Sequence, residues 1–496
     1  MESIWRKTCE IESRPQLSGD IKAQALVIGA GMAGILTAYY LEQAGVKTIV
    51  LESGKIGGGQ TQNTTAKITA QHGLVCSRLL KKVSREKARK YMEASQKAVD
   101  AYKEIIEREQ IACDFQQAGS YIYSQKEEEL TKELEAASQL GVPANYVTKV
   151  EPPVPCAGAV KFKGQGQFHP LKFLKALCGS LEIYENSQVL GAEDHKVWTT
   201  HGSVEADKII FASHYPFYNF PGFYFARMHQ ERSYVLALEN AGKLEGMYLG
   251  TGQEPYSFRG YGKYILLGGC GCRTGENQMG GNIENLRQAA RDFFPESREV
   301  ACWAAQDCMT ADRIPFIGSY GKAKPDWLVA TGFGKWGMTG SMVSAMLLKD
   351  LVCGIKNPYQ PVFTPARFSF VELPQMFLDT GKAVKGLSRQ IFQRPSEKAE
   401  DLACGRGGIV KTEEKKAGVY KNQEGELSIV KVKCTHMGCQ MEWNPDEKTW
   451  DCPCHGSRFD REGNVIDGPA QKAAVFSDKT PPKGSMSMNF EKQKTP

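Results

Sequence analysis

The stretch QALVIGAGMAGILTAYYLEQAGVKTIVLE, residues 24–52, decides the fold of the first part of this chain. The apolar run 24–28 predicts a short buried strand, and the periodic apolar residues of 35–44 predict a helix. A second apolar run, 46–51, predicts another strand that ends at Glu52. The pattern therefore indicates a strand, a tight turn, a helix and a second strand, as in α/β domains with a parallel sheet.

The turn inside this unit has the form of a dinucleotide-binding site. Gly29-Ala30-Gly31-Met32-Ala33-Gly34 fits the pattern G-x-G-x-x-G. In that pattern Gly29 permits the turn, Gly31 lets the backbone approach a pyrophosphate, and Gly34 lets the helix pack against the strand. The pyrophosphate would meet free N–H groups at the helix N-terminus, and Glu52 would accept hydrogen bonds from a ribose. A glycine-rich turn without a ligand is the alternative, but the strand, helix and acid together favour the dinucleotide site.

Composition and charge exclude several classes of protein. The 496 residues are 41% hydrophobic and 24% charged, which is ordinary for a globular chain and excludes disorder, a coiled coil and collagen. The net charge of +6 is too small to suggest a nucleic-acid partner. No run of about 18 apolar residues predicts a transmembrane segment, and the N-terminus lacks the apolar core of a signal peptide. We therefore predict a cytoplasmic protein.

The G-x-G-x-x-G motif with its strand, helix and acid occurs only once in the sequence, which argues against a second nucleotide-binding fold for NAD(P)H. Together with GKIGGGQTQNTTAKITAQHG (54–73) and DWLVATGFGKWGMTGS (326–341), it resembles the D-amino-acid-oxidase-like FAD-dependent oxidoreductases, the group of glycine oxidase and sarcosine oxidase. The resemblance covers about residues 20–355. It implies an α/β Rossmann-like FAD-binding domain with an inserted α+β antiparallel-sheet substrate domain.

The resemblance also implies which residues contact FAD. Its second FAD element is a strand, a glycine-rich turn and a helix whose N-terminus faces the pyrimidine end of the flavin, where it would stabilise negative charge. The residues implied to bind FAD are Gly29, Ala30, Gly31, Met32, Ala33, Gly34, Glu52, Ser53, Thr64, Thr65, Ala66, Gly332, Gly334, Gly337 and Thr339.

One position departs from the family pattern. The stretch 312–318, DRIPFIG, matches the family pattern D-x-x-P-x-I-G. Before this pattern, amino-acid-oxidising members of the family commonly carry Arg-Pro-x-Thr-x-Asp. The arginine of that motif holds the carboxylate of the substrate. Asp307 occupies that arginine position here. An aspartate repels a carboxylate and favours an amine, so we hypothesise a substrate that lacks a free α-carboxylate there or is cationic. A simple surface acid is the alternative.

Other candidates in this module are weaker. His72 follows the FAD loop and is a candidate base, although such a histidine is more often structural. Arg232 and Arg259 are candidate anion ligands, with surface ion pairs as the alternative.

A second motif lies near the C-terminus. Cys434 and His436 form one pair, and Cys452 and His455 form another, in boxes that resemble those of a Rieske [2Fe–2S] domain. There two thiolates bind one iron and two imidazoles bind the other. A zinc site is the rival interpretation. The full boxes, the intervening stretch 440–451 and a Gly-Pro loop at 468–469 favour the Rieske site.

The Rieske resemblance is to the cytochrome-complex type, which implies a disulfide between Cys439 and Cys454. Ser457 matches the serine that hydrogen-bonds a cluster sulfur in high-potential members, but Phe459 replaces the tyrosine that assists it. Hydrogen bonds to sulfur raise the potential. We therefore predict a cluster potential in the middle of the Rieske range of about −150 to +300 mV.

These motifs predict three parts of the chain, the last of them all-β. They are an FAD-dependent oxidoreductase module (1–370), a linker with a connecting helix (371–403) and a Rieske domain (404–496). Within the oxidoreductase module, the predicted FAD-binding parts are about 20–80, 145–215 and 305–360. The predicted substrate-binding parts are about 81–144 and 216–304.

The two cofactors together predict a dehydrogenase. FAD takes two electrons from a small organic substrate, which the resemblance suggests is oxidised at an amine C–N bond, and a Rieske cluster carries one electron at a time to a protein or quinone acceptor. A redox adaptor, or a reductase fed through the cluster, is the alternative. A Rieske oxygenase would need a mononuclear iron site, and the spacing of His195 and His201 does not supply one.

Overall fold

A computed structural model describes residues 1–252, 255–367, 402–411 and 416–476. The chain divides into two units, one of residues 1–273 and 281–379 and the other of residues 274–280 and 380–496. The predicted connecting helix, and nearly all of the predicted linker 371–403, lie outside the described residues.

The first unit is an α/β structure with two sheets. Its described helices are α1 (Ile4–Thr8), α2 (Met32–Gln43), α3 (Val75–Lys82), α4 (Arg85–Arg108), α5 (Glu127–Leu140), α6 (Pro170–Leu177), α7 (Asn282–Phe293), α8 (Gly337–Val352) and α9 (Gln360–Phe363). Its described strands are β1 (Gly19–Ile28), β2 (Thr48–Leu51), β3 (Lys67–Ile68), β4 (Gln116–Ser124), β5 (Ala144–Val147), β6 (Gly158–Gln167), β7 (Glu182–Tyr184), β8 (Gly191–Glu193), β9 (Lys196–Trp198), β10 (Gly202–Phe211), β11 (Met228–Glu239), β12 (Met247–Gly250), β13 (Ser257–Tyr261), β14 (Tyr264–Arg273), β15 (Arg298–Thr310), β16 (Phe316–Gly321) and β17 (Lys324–Thr331).

One sheet of the first unit carries the glycine-rich turn. Its strands follow the order β16-β17-β10-β1-β2-β7, with β9 and then β8 attached to β10. The central pairs are parallel, and Leu26 of β1 lies beside Ile49 of β2. The last four residues of β1 and all of β2 are buried, because a parallel sheet covered by helices hides both of its faces. Helices α2 and α8 pack against each other beside this sheet.

The other sheet of the first unit is mainly antiparallel. Its strands follow the order β15-β11-β14-β13-β12-β4-β6-β3, with β5 on β6. The Nζ of Lys67, on β3, donates to the carbonyl of Tyr248 at 2.9 Å and to the Oγ of Ser257 at 2.6 Å, so strands far apart in this order are joined by a side chain. The residues of 81–110 are charged and periodic and predict a long helix, and 125–140 predicts another. Helices α4 and α5 lie within these two stretches.

The predicted internal boundaries of the oxidoreductase module remain a prediction. Four strands of the mainly antiparallel sheet, β3, β5, β6 and β15, lie wholly or partly in stretches assigned to FAD binding. Strand β6 falls in the interval 145–215, assigned to FAD binding, yet it pairs antiparallel with β4 in the mainly antiparallel sheet. Strand β15 crosses the boundary placed at 305 and belongs to that same sheet. Turn residues mark where strands begin and end, but they carry no information about which sheet a strand joins.

The second unit is all-β in its described residues. Strands β18 (Gly407–Lys411), β19 (Lys416–Lys421) and β20 (Leu427–Val430) form one antiparallel sheet, and β21 (Glu442–Asn444), β22 (Thr449–Asp451), β23 (Arg458–Phe459) and β24 (Val465–Asp467) form another.

A buried ion network supports the four-stranded sheet of the second unit. The Arg458 guanidinium lies 2.7 Å from Glu447, 3.1 Å from Asp451 and 3.1 Å from Asp467. Residues 274–280 also belong to this unit, since the Asn277 amide donates to the Oδ1 of Asn444 at 3.0 Å.

Candidate functional site

The glycine-rich turn at the end of β1 has the geometry that the sequence pattern predicts. Gly29 has φ +109°, and a Cβ there would lie 2.7 Å from the carbonyl oxygen of Ala212. A Cβ on Gly34 would lie 1.8 Å from the carbonyl oxygen of Gly29, so only glycine lets α2 approach β1 this closely. A Cβ on Gly31 would meet only the hydroxyl of Thr61, at 3.4 Å. Gly31 therefore borders the space that a pyrophosphate would occupy.

Glu52 lies beside this turn at the carboxyl end of β2. Its Oε2 accepts a hydrogen bond from the backbone N–H of Ala30 at 2.8 Å, and its Oε1 accepts from Gly54 N–H at 2.8 Å and from the Ser53 hydroxyl at 3.1 Å. Ligands of parallel sheets bind at the carboxyl ends of the strands. The Glu52 carboxylate therefore lies where a ribose hydroxyl of a dinucleotide would reach it.

The second predicted FAD element begins where β17 ends. Gly332 and Gly334 have φ values of +74° and +55°, and α8 begins at Gly337. The Oγ1 of Thr339, in the first turn of α8, donates to the carbonyl of Thr69 at 2.7 Å. The structure therefore places the start of α8 against the loop that follows Glu52.

That loop contains Thr64, Thr65 and Ala66. The Thr64 hydroxyl accepts from the Ala66 N–H at 2.9 Å, and the Trp5 indole donates to the Thr64 carbonyl at 2.7 Å. Arg259 donates to the carbonyls of Thr65 at 2.6 Å and Ala66 at 2.8 Å.

Arg259 is a correction to the sequence interpretation. Its side chain is fully buried, and burial lowers the pKa of its guanidinium to about 9. It binds backbone carbonyls and is therefore not a surface ion pair, while its role as an anion ligand stays a prediction. The sequence offered no local signal for this role, nor for the burial of Trp5.

His72, the predicted candidate base, lies buried in the loop that follows Glu52. Its Nδ1 lies 2.8 Å from the Tyr91 hydroxyl and its Nε2 lies 2.8 Å from the Thr69 carbonyl. Burial, assisted by the nearby Arg78 charge, lowers the pKa of His72 to about 3. Both ring nitrogens therefore have hydrogen-bond partners, which favours a structural role for His72, and its role as a catalytic base stays a prediction.

Asp307 lies in a group of charged side chains. In the register of β11 and β15 it stands opposite Glu231, and the Lys335 ammonium, from the glycine-rich turn before α8, lies 3.6 Å from the Glu231 carboxylate. The same ammonium donates to the Ser233 hydroxyl at 2.9 Å. Asp307 therefore does not stand alone on a surface, and it is joined by Glu231 and Lys335, which sequence reasoning missed.

The two acids of this group have different proton affinities. Burial raises the pKa of Asp307 to about 6, against the opposing charge of Lys335. Burial would raise the pKa of Glu231 as well, but a hydrogen bond from His229 and the charges of Lys335 and Arg313 hold it at about 2. Near neutral pH, Glu231 is a fixed anion, whereas Asp307 can exchange a proton.

The four predicted cluster ligands converge in the second unit. The thiols of Cys434 and Cys452 are buried, and their mutual contact, with hydrogen bonds from the Ser457 hydroxyl and backbone N–H groups, holds the pKa of Cys434 below its usual range. The rings of His436 and His455 have centroids 5.0 Å apart. Burial lowers the pKa of His436 to about 4, so its imidazole is neutral, as a metal ligand must be.

The two boxes have equivalent backbone turns. The Gly438 N–H donates to the Cys434 carbonyl at 2.9 Å, and the Gly456 N–H donates to the Cys452 carbonyl at 2.9 Å. Both glycines lie in the left-handed region, with φ values of +82° and +80°. Each turn therefore presents one Cys and one His from a tight loop.

A disulfide between Cys439 and Cys454 joins the two boxes. The Cys452 sulfur lies within 4.8 Å of both disulfide sulfurs, but because these are bonded to each other they are not available as metal ligands. The Ser457 hydroxyl accepts from the Ala470 N–H, in the Gly-Pro loop, at 3.0 Å. Two buried thiols and two imidazoles thus fit a [2Fe–2S] cluster with two Cys and two His ligands.

A family model described as FAD dependent oxidoreductase matches residues 24–351, which is more than half of the chain. The chain belongs to this FAD-dependent oxidoreductase family. A second model, described as the Rieske [2Fe-2S] domain, matches residues 395–481. The predicted family, the oxidoreductase class and both cofactors, FAD and the [2Fe–2S] cluster, are thereby confirmed.

Relatives and solved structures agree with this membership. YhfW of Bacillus subtilis (strain 168), provisionally named a Rieske 2Fe-2S iron-sulfur protein, is 37% identical over 490 residues, 95% of this chain and 96% of YhfW. Glycine oxidase from Geobacillus kaustophilus is 18% identical with a TM-score of 0.59, covering 70% of this chain and 99% of its own. L-proline dehydrogenase from P.horikoshii is 17% identical with a TM-score of 0.59, covering 72% and 98%. These two structures confirm the predicted fold of the oxidoreductase module.

Within the described residues, no helix combines the length and the apolar character needed to cross a bilayer. The cytoplasmic location remains a prediction.

Proposed function

We propose that this FAD-dependent oxidoreductase is a dehydrogenase. It oxidises a small organic substrate and delivers the electrons singly, through the Rieske cluster, to an external protein or quinone acceptor. The observation that carries the proposal is the presence, in one chain, of an FAD-binding module and a complete set of cluster ligands. Bound FAD accepts two electrons from an organic substrate and a Rieske cluster carries one. An enzyme that passes electrons directly to O₂ needs no cluster.

The chain's own residues position these groups. The turn Gly29–Gly34 and Glu52 would hold the pyrophosphate and ribose of FAD, and the N-terminus of α8 would face the flavin. Cys434, Cys452, His436 and His455 would ligate the cluster.

We further propose that the substrate is oxidised at an amine C–N bond. Two structural neighbours are a glycine oxidase and an L-proline dehydrogenase, and glycine and L-proline both contain such a bond. Asp307 stands where amino-acid-oxidising relatives place an arginine, and Glu231 lies opposite it. Glu231 is already paired with His229, Lys335 and Arg313, so Asp307 is the carboxylate that would disfavour an α-carboxylate and favour a protonated amine.

Anaerobic reduction of the flavin tests this proposal. We expect simple and N-methylated amines to bleach the flavin absorbance, and the electron paramagnetic resonance signal of the reduced cluster to follow. Glycine, sarcosine and D-amino acids serve as comparison compounds, and their rapid turnover would contradict the amine assignment while leaving the dehydrogenase intact. If no organic compound reduces the flavin but a protein donor reduces the cluster, the chain is a redox adaptor or a reductase instead.

A further inference from the structure

The contacts of His72 indicate a function that the sequence did not suggest. The ring of His72 stacks on the indole of Trp336, with centroids 4.8 Å apart and an angle of 23° between the planes. Trp336 is the residue immediately before the first turn of α8, and the N–H of Gly340 closes that turn on the Trp336 carbonyl at 2.9 Å. His72 therefore packs on the start of the helix whose N-terminus would face the flavin.

The protonation of His72 is fixed by its two partners. The ring is buried and neutral, so it carries one N–H. The Thr69 carbonyl can only accept, which assigns the N–H to Nε2, and Nδ1 then accepts from the Tyr91 hydroxyl. This arrangement fixes the plane of the imidazole, and hence the surface on which Trp336 packs.

The same carbonyl connects the loop to the helix. Thr69 receives hydrogen bonds from the Nε2 of His72 at 2.8 Å and from the Oγ1 of Thr339 at 2.7 Å. The Tyr102 hydroxyl adds a hydrogen bond to the carbonyl of Met338, in the same first turn, at 2.9 Å. The first turn of α8 is thus held from two sides. On one side His72 shares the Thr69 acceptor with Thr339, and it also stacks on Trp336 just before this turn.

We infer that His72 is a positioning residue for the flavin, acting through Trp336 and Thr69 to hold the N-terminus of α8 in place. The positive end of a helix acts over about one turn, so a small displacement of this terminus weakens its interaction with negative charge on the reduced flavin. Removing the hydrogen bonds of His72 should therefore make the bound flavin harder to reduce. The inference goes beyond the proposed function and does not depend on the identity of the substrate.

The test compares three variants of the full-length protein loaded with both cofactors. His72→Phe keeps an aromatic ring for stacking but removes both hydrogen bonds. Tyr91→Phe removes only the hydroxyl that orients the ring. Tyr320→Phe is the matched control, because Tyr320 is also a buried tyrosine of the first unit and its hydroxyl donates to the Tyr218 carbonyl at 2.6 Å, in another part of the parallel sheet.

The measurement is the ratio of reduced to oxidised flavin at equilibrium with a redox dye. The ratio of reduced to oxidised dye is the same for every protein. We expect the flavin ratio to fall by about fivefold in the His72→Phe protein, to fall by a smaller factor in Tyr91→Phe, and to stay unchanged in Tyr320→Phe. The readout needs no substrate, so it succeeds or fails independently of the proposed dehydrogenase activity.

Two results would overturn the inference. One is an unchanged flavin ratio in both His72→Phe and Tyr91→Phe. The other is an unchanged ratio combined with loss of substrate-driven flavin reduction in His72→Phe, which would show that His72 acts as a base. If the His72→Phe protein purifies without FAD, the flavin ratio in Tyr91→Phe is the test: a lower ratio supports the inference and an unchanged ratio overturns it.

Discussion

At the scale of single residues, burial separates two side chains that the sequence placed together as catalytic candidates. It lowers the pKa of His72 to about 3, which leaves a neutral ring with both nitrogens occupied. It raises the pKa of Asp307 to about 6, close to the pH at which proteins work. Desolvation disfavours the charged form in both cases. It therefore keeps the His72 ring neutral, and it brings the pKa of Asp307 close to neutral pH.

Replacing Asp307 by Asn should weaken the response to amines. Hydrogen bonds to charged groups are worth about 1.5–3 kcal/mol, so we expect the apparent rate constant for flavin reduction by an amine to fall about 10- to 100-fold. In the unmodified protein this constant should rise as pH increases through about 6, because Asp307 becomes ionised and binds a cation better. Asp307→Asn should lose that inflection.

Stopped-flow reduction under anaerobic conditions measures both effects. Asp194→Asn is the control, since its carboxylate is mostly exposed and pairs with Lys324 at 2.6 Å. An unchanged rate and pH profile in Asp307→Asn would remove this acid from the substrate site.

A second prediction at this scale concerns the cluster. Phe459 is fully buried on β23, two residues after Ser457, which hydrogen-bonds Cys434. Phe459→Tyr should raise the cluster potential, because it adds a hydroxyl that can hydrogen-bond a cluster sulfur. Ser457→Ala should lower the cluster potential, because it removes such a hydroxyl. Protein-film voltammetry checks both directions, and a lower potential in Phe459→Tyr would contradict the argument.

At the scale of elements, packing distance decides which glycines the FAD-binding unit needs. The contact between β1 and α2 depends on Gly34, where a Cβ would collide with a backbone carbonyl, whereas a Cβ on Gly31 would meet only the Thr61 hydroxyl, at 3.4 Å. Gly34 therefore serves the packing of the helix on the strand, and we predict that Gly31 serves the ligand. The register of β11 with β15 has a similar importance, because it alone brings Glu231 opposite Asp307.

Substituting these glycines by alanine should separate folding from cofactor binding. Gly34→Ala should lower the melting temperature and the FAD content together. Gly31→Ala should keep the fold but weaken FAD binding, because its Cβ would point into the pyrophosphate space. Circular dichroism melting and the flavin-to-protein ratio measure the two effects.

The control for these variants is Gly179→Ala, an exposed position where a Cβ has no neighbour within 4 Å. Normal FAD content in Gly31→Ala would show that the pyrophosphate lies elsewhere.

At the scale of the whole molecule, the two cofactor sites belong to separate units. The residues predicted to bind FAD lie in residues 1–273 and 281–379, and the predicted cluster ligands lie in the other unit. Each unit has its own buried core. We therefore expect that either cofactor can be lost without loss of the other.

Removing the cluster should leave the flavin chemistry intact. The Cys452→Ser variant should lack the [2Fe–2S] absorbance yet retain FAD and be reduced by substrate at the normal rate. Electron transfer to a one-electron acceptor should fall by at least about tenfold, because reduced flavin would lose its single-electron exit. Steady-state assays with an acceptor, beside anaerobic flavin reduction, measure the two steps. Equal acceptor turnover with and without the cluster would mean that electrons leave directly from the flavin.

The sequence predicted the parts whose chemistry is local. The G-x-G-x-x-G turn, the acid at the end of β2 and the two Cys-His boxes each lie within a short stretch, so residue type and spacing were enough. Glu231 could not be predicted, because it meets Asp307 only through strand pairing across about 75 residues of chain. Arg259 could not be recognised either, since its partners, the carbonyls of Thr65 and Ala66, lie on a distant loop.

The sequence by itself therefore determined the family, the two cofactors and the order of the modules, because these depend on contiguous motifs. Only the tertiary structure decided that His72 stacks on Trp336 and that Asp307 shares its surroundings with Glu231 and Lys335. The physical reason is that proton affinity and charge depend on burial and on neighbours brought together by folding, and neither is written in the spacing of residues along the chain.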